Sequence, residues 1–98
     1  MAARDFKVSR DDDGVYHFQG ELSIHGLDEL RAILDRALEN GQEMAISLAK
    51  VTFVDTAALQ LLIAFKRRLE PEAALRISAV SAEVDDILSL CGLKTALL

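Results

Sequence analysis

At 98 residues the chain has room for one domain, and a hydrophobic share of 51 % suits a single packed core and excludes a disordered protein. The formal net charge of -5 argues against nucleic acid as a partner, because phosphate binding calls for a basic face. The longest nearly uncharged apolar stretch, Val51 to Phe65, is short and is interrupted by Asp55 and Gln60, so no direct membrane insertion is expected.

Phe6 to Val8 reads as a short edge strand, and Asp11-Asp12-Asp13-Gly14 as a tight turn, since Asp-Gly suits hairpin geometry. Tyr16, Phe18, Leu22 and Ile24 then fall on alternate positions with Gly20 on the same face. That period of two predicts a half-buried strand, with His17 on its polar side and His25 in the following loop. From Leu27 to Leu38 the period lengthens. Leu27, Leu30, Leu34, Ala37 and Leu38 share one helical face, and Asp28, Arg31, Asp35 and Glu39 take the other. Asn40-Gly41 supplies the stop. Met44, Ile46 and Leu48 predict a short strand, and a second apolar pulse, Val51 to Val54, follows Lys50.

Asp55 and Thr56 open the next helix. Either side chain can accept a hydrogen bond from the free N–H groups there and serve as the N-cap. The helix runs on through Ala57 to Phe65 and carries Lys66-Arg67-Arg68 where the macrodipole favours cations. It ends at Pro71. Leu75, Ile77 and Ala79 predict a strand, with Val80 on its other face. Ser81 caps a last helix that has Glu83, Asp85 and Asp86 in its first turn. Its core face is Val84, Ile87, Leu88 and Cys91, and Gly92 ends it. The order strand, strand, helix, strand, helix, strand, helix predicts a single α/β domain over residues 1–98. It is a sandwich of a mixed sheet, an N-terminal antiparallel hairpin and about three main helices. The crossovers between parallel strands should be right-handed.

No acid, base and nucleophile set is visible, so no enzyme is expected. His17 and His25 form no metal pattern with Cys91 or a carboxylate. The five glycines are scattered over turns and caps and form no phosphate loop. Asp11-Asp12-Asp13 lacks the later ligands of a calcium loop and reads as a solvated turn. No cofactor and no metal is therefore expected. Met1 to Arg10 has no apolar stretch and is not a secretion signal. Cys91 is the single cysteine, which leaves the cytoplasm as the expected compartment. One feature is unusual: from Ala57 to Phe65 the second helix has Gln60 as its only polar residue. Deep burial against the sheet accounts for that composition, and so does a smooth partner-docking surface.

The run Val51-Thr52-Phe53-Val54-Asp55-Thr56-Ala57-Ala58-Leu59 resembles the STAS signature, in which a short apolar pulse precedes Asp-Ser/Thr-x-Gly-Leu and a helix. Gly20-Glu21-Leu22-Ser23-Ile24 resembles that family's Gly-x-Leu-Asp strand. Leu27 to Leu38 resembles its first helix, and Ile87 to Leu93 its last helix with a trailing Gly-Leu. The resemblance spans the core of the domain, from about Val15 to Leu93. It implies a STAS-like fold and a non-enzymatic switch of the anti-sigma-factor-antagonist kind, acting in signal transduction and transcription regulation. In such proteins a partner kinase phosphorylates the Ser or Thr after the Asp, here Thr56, and only the unmodified domain binds. The implied partner surface comprises Asp55, Thr56, Ala57, Ala58, Gln60 and Leu61, with Ser23 and His25 near the same end of the sheet. A monomer or weak dimer is expected.

The partner implied is an anti-sigma-factor-like kinase or a chemotaxis-type kinase, since Gly-Glu-Leu-Ser-Ile and Asp-Thr-Ala also resemble small STAS proteins of bacterial chemotaxis. Asp-Thr-Ala further resembles STAS subunits of ABC-type phospholipid transport systems. In that alternative Thr56 contacts a transporter ATPase as part of a structural subunit. Four residues depart from the family pattern. Thr56 replaces the commoner Ser and keeps a hydroxyl. Ala58 replaces Gly, which stiffens the loop–helix junction and adds bulk to the surface. Ser23 and Ser47 stand where Asp is frequent, leaving fewer acidic groups around the site.

Overall fold

The computed structural model describes residues 6–39, 43–69 and 75–98. β1 (Phe6–Arg10) and β2 (Val15–Leu22) form an antiparallel hairpin in continuous register. Asp11 closes it: Oδ1 accepts the N–H groups of Asp13 and Val15, each at 2.9 Å. Gly14 completes the turn at φ 83°, where a side chain would strain the backbone. Along β2, Phe18 and Leu22 are buried, while Gln19 and Glu21 are exposed on the other face. The alternation ends at Leu22. Ile24, expected on the same strand, is 60 % exposed in a 3-10 turn, Ile24–Gly26. The Ser23 side chain caps that turn by accepting the His25 N–H at 3.3 Å. This local bond bends the chain out of the ladder. Ser23 therefore follows the second strand instead of lying in it, and His25 belongs to the turn.

α1 (Leu27–Glu39) buries Leu30 and Leu34, with Leu27 and Ile33 packed partly against the core. The side chains of Ala37 and Leu38 and the stop at Asn40-Gly41 lie outside the described residues. β3 (Met44–Val54) pairs in parallel with β2 and with β4 (Leu75–Val80), and the sheet order is β1-β2-β3-β4. The two expected apolar pulses are one strand. Between the pairs His17↔Ser47 and Gln19↔Lys50, and again between Gly20↔Val51 and Glu21↔Phe53, β3 takes one more step than β2. Each bulge resets the side-chain phase. Met44, Ile46, Leu48, Val51 and Val54 consequently all reach the core despite their uneven spacing. A third irregularity, where Ser47 pairs with Ala79 after Ile46 with Ile77, does the same to β4. It leaves Ala79 exposed and packs Val80 against the core, the reverse of the simple alternation.

α2 (Thr56–Leu69) buries Ala58, Leu59, Leu62, Ile63 and Phe65 and exposes Thr56, Gln60 and Ala64. Its composition thus reflects deep burial on one side and small residues on the other. Burial of Leu59 or Leu62 contributes about 2 kcal/mol or more to stability. At its C-terminal end Lys66 donates to the Leu97 carbonyl at 3.0 Å, and Arg68 lies over the Phe65 ring. The break at Pro71 lies outside the described residues. α3 (Ala82–Cys91) is capped as expected: Ser81 Oγ accepts the Val84 N–H at 3.1 Å, and Gly92 ends the helix at φ 69°. Ser81 Oγ also donates to the Val51 carbonyl, which ties the end of β4 to β3. Val84 and Leu88 are buried, but Cys91, expected on the same face, is exposed. The packed face stops at Leu88, one turn before the helix does, and periodicity alone does not reveal that. A short α4 (Lys94–Leu97), absent from the sequence reading, buries Leu97.

Among the described residues, the buried side chains of α1, α2, α3, α4 and one sheet face form one core. The other sheet face presents Lys7, Ser9, Gln19, Glu21 and Lys50 to solvent. No helix among the described residues is long and apolar enough to cross a membrane.

Candidate functional site

Parallel pairing brings the ends of β2 and β3 side by side. Leu22 pairs with Val54, and the Asp55 N–H donates to the Leu22 carbonyl at 2.9 Å. The Ser23–His25 turn and the start of α2 therefore leave the sheet together. Asp55 occupies the N-cap: its carbonyl accepts the Leu59 N–H at 3.1 Å, and Oδ1 accepts the Ala57 N–H at 3.3 Å. Thr56 is the first helical residue and is exposed. Its hydroxyl has no hydrogen-bond partner among the described residues. Of the two cap candidates Asp55 does the capping, which leaves the Thr56 hydroxyl unengaged beside a helix N-terminus. Free N–H groups and the macrodipole favour negative charge there.

The other expected surface residues divide. Ala57 and Leu61 are half-buried and Gln60 is exposed. They line a groove of about 450 Å³ between α2 and α1, together with Ala64, Leu27 and Arg31. Ala58 is fully buried. It points into the core, so it supports the surface from beneath and adds no bulk to it. His25 is exposed, and Ser23 Oγ is engaged in its turn. Ser47 lies in β3 opposite His17, on the order of 20 Å of extended chain before Asp55, so it does not surround the site. It is buried, and its Oγ accepts the Ala49 N–H at 3.4 Å.

The sequence reading missed the α1 wall of the groove and the exposed Ile24 on the turn that precedes α1. Leu27 and Arg31, assigned by periodicity to opposite faces of the helix, stand four apart and line the groove together.

At the other end of β2 a second aspartate is fully engaged. Asp11 Oδ2 lies 2.7 Å from His17 Nε2. That contact, with the Val15 and Asp13 N–H groups, holds the Asp11 carboxyl below its ordinary value of 3.8. Among the described residues no group of His, Cys, Asp and Glu side chains could hold a metal ion.

The family model of the STAS domain matches residues 6–97. Among solved structures the fold is similar to an anti-sigma factor antagonist from Mycobacterium paratuberculosis, with 20 % identity and a TM-score of 0.76 over 99 % of this chain and 87 % of that one. It is also similar to the anti-sigma factor antagonist SpoIIAA in its unphosphorylated form, with 20 % identity and a TM-score of 0.69 over 95 % and 85 % of the two chains. An antisigma-factor antagonist STAS domain from Rhodobacter sphaeroides shares the fold with 20 % identity and a TM-score of 0.53, over 83 % and 87 %. No curated protein sequence matches the chain. The structural likenesses establish the fold, and with the match over residues 6–97 the chain belongs to the STAS domain family.

Proposed function

We propose that this protein is a non-enzymatic cytoplasmic switch. A partner kinase, of the anti-sigma-factor or chemotaxis type, phosphorylates Thr56, and the partner binds only the unmodified domain. The observation that carries this reading is the division of labour at the helix start: Asp55 caps, so Thr56 is exposed and unengaged. The likeness to anti-sigma factor antagonists supports the same reading.

The unmodified surface suits docking. Ile24 is 60 % exposed on the adjoining turn, and the α1–α2 groove offers Ala57, Leu61 and Ala64 as small or apolar contacts. Phosphorylation adds about -1.5 to -2 charges next to Asp55. The free N–H groups of the first turn of α2 accommodate the phosphate. A partner seated on the groove must then desolvate that charge and meet it beside a carboxylate, and it releases. The test is binding of the cognate kinase to Thr56→Ala and Thr56→Glu. The switch predicts that Thr56→Ala binds and Thr56→Glu does not. Equal binding by both, or stable co-purification of both with a transporter ATPase, overturns it.

A further inference from the structure

We infer that the outer edge of β1 is a second binding site, which takes an extended peptide carrying an apolar residue and an acidic residue two positions apart. The register of the hairpin exposes this edge. Asp11 donates its N–H to the Val15 carbonyl at 3.0 Å, so Asp11 and Val15 form a hydrogen-bonded pair. Pairs alternate along an antiparallel ladder. Ser9–His17 and Lys7–Gln19 are then bonded to β2, and the N–H and C=O groups of Val8 and Arg10 point away from it. Among the described residues β1 is the last strand on its side of the sheet. The opposite edge, β4, is interrupted by an irregularity at Ser78, but the β1–β2 register has none. A regular edge is a template for another strand, and a bulged one is not.

The side chains beside the edge define what that strand carries. A cleft of about 210 Å³ lies between β1 and α1, with Val8, Ile33 and Tyr16 supplying apolar surface and Arg10 and Arg36 the charge. Arg10 lies directly across from Tyr16 and is held 5.3 Å from its ring centroid. Neither arginine has a carboxylate partner among the described residues. Two arginines thus line one cleft on a chain whose net charge is -5. An added strand places the residue opposite Val8 on the same face as Val8, over Ile33. The next residue on that face, two positions along, falls beside Arg10 in either strand orientation. The first position selects an apolar side chain, and the second selects Asp or Glu, which arginine holds through two N–H groups. The site is far from Thr56, at the hairpin-turn end of the sheet, and does not depend on phosphorylation.

The test uses the whole chain and a short fluorescein-labelled peptide of alternating Thr and Val with one Leu and one Glu two positions apart. Saturable binding is expected, with the Val8 and Arg10 amides gaining protection from hydrogen exchange. Arg10→Gln and Arg36→Gln, both at exposed positions, each weaken binding by roughly 3- to 10-fold. Their thermal unfolding stays unchanged, which excludes a folding defect. Lysine in place of the peptide's Glu weakens binding at least as much. No saturable binding overturns the proposal. So does equal affinity for the lysine peptide, or protection of the Val8 and Arg10 amides by self-association of the chain without peptide.

Discussion

Asp11 and Asp55 stand at opposite ends of the sheet, each followed by backbone N–H groups that need a partner. Asp11 meets that need with both side-chain and main-chain oxygens. Its side chain accepts two N–H groups at 2.9 Å and lies 2.7 Å from the His17 ring, so both of its carboxylate oxygens are engaged in closing the hairpin. Asp55 accepts one N–H at 3.3 Å, and the exposed hydroxyl beside it has no partner among the described residues. Residue type does not separate the two places, and Asp11 is the more exposed of the two carboxylates. The bonds already made separate them: at the hairpin the polar chemistry is spent on the fold, and at α2 a capping carboxylate leaves an exposed hydroxyl without a partner among the described residues.

The comparison requires α2 to be a fixed platform, and Leu62→Ala is the strongest way to break it. Leu62 is fully buried, so its truncation should cost about 2–5 kcal/mol in denaturant unfolding. Gln60→Ala, on the exposed face of the same helix, should change stability by less than about 0.5 kcal/mol. Next in size is Thr56→Glu. It should weaken partner binding by about 100-fold or more in a titration, because an unpaired charge in a desolvated contact costs several kcal/mol. Fold stability should hardly move. Asp55→Ala should cost about 1 kcal/mol of stability through loss of the cap, and Asp55→Ser should restore most of it. A neutral Asp55→Ala would mean that Asp55 is not the cap, and the contrast with Asp11 would collapse.

The smallest effect belongs to Asp11→Asn. The folded-state pKa of Asp11 lies below 3.8, so its contribution is present above that value and is lost as pH falls through the folded pKa. Asn should lower the thermal midpoint slightly near neutral pH, and the gap to the parent should close in acid. A gap that widens in acid would contradict the assigned bonds.

Much of the fold was legible because it rests on local pattern. Leu27, Leu30 and Leu34 repeat at helical spacing, Phe18 and Leu22 alternate, and Ser81 and Gly92 announce the ends of α3. What the sequence hid depends on pairing between distant segments. The bulges that merge Met44–Leu48 with Val51–Val54 exist only against β2, and the one that inverts Ala79 and Val80 only against β3. Cys91 shows a related failure, since periodicity marks a helical face but not where its covering stops. At the site, Asp55 and Thr56 were readable as a pair. Which of them caps is a matter of geometry, and the Arg31 side of the groove comes from another helix. The His17–Asp11 contact was missed because it reaches across the turn from a strand position read only as polar.

The central claim is that the Thr56 hydroxyl is left free so that it can carry a phosphate. Intact-mass measurement of the protein isolated from its source, with fragmentation to locate any modification, tests this most directly. The account predicts a species heavier by one phosphate, with the phosphate on Thr56. Protein that stays unmodified at Thr56 when its cognate kinase is present and active would contradict it.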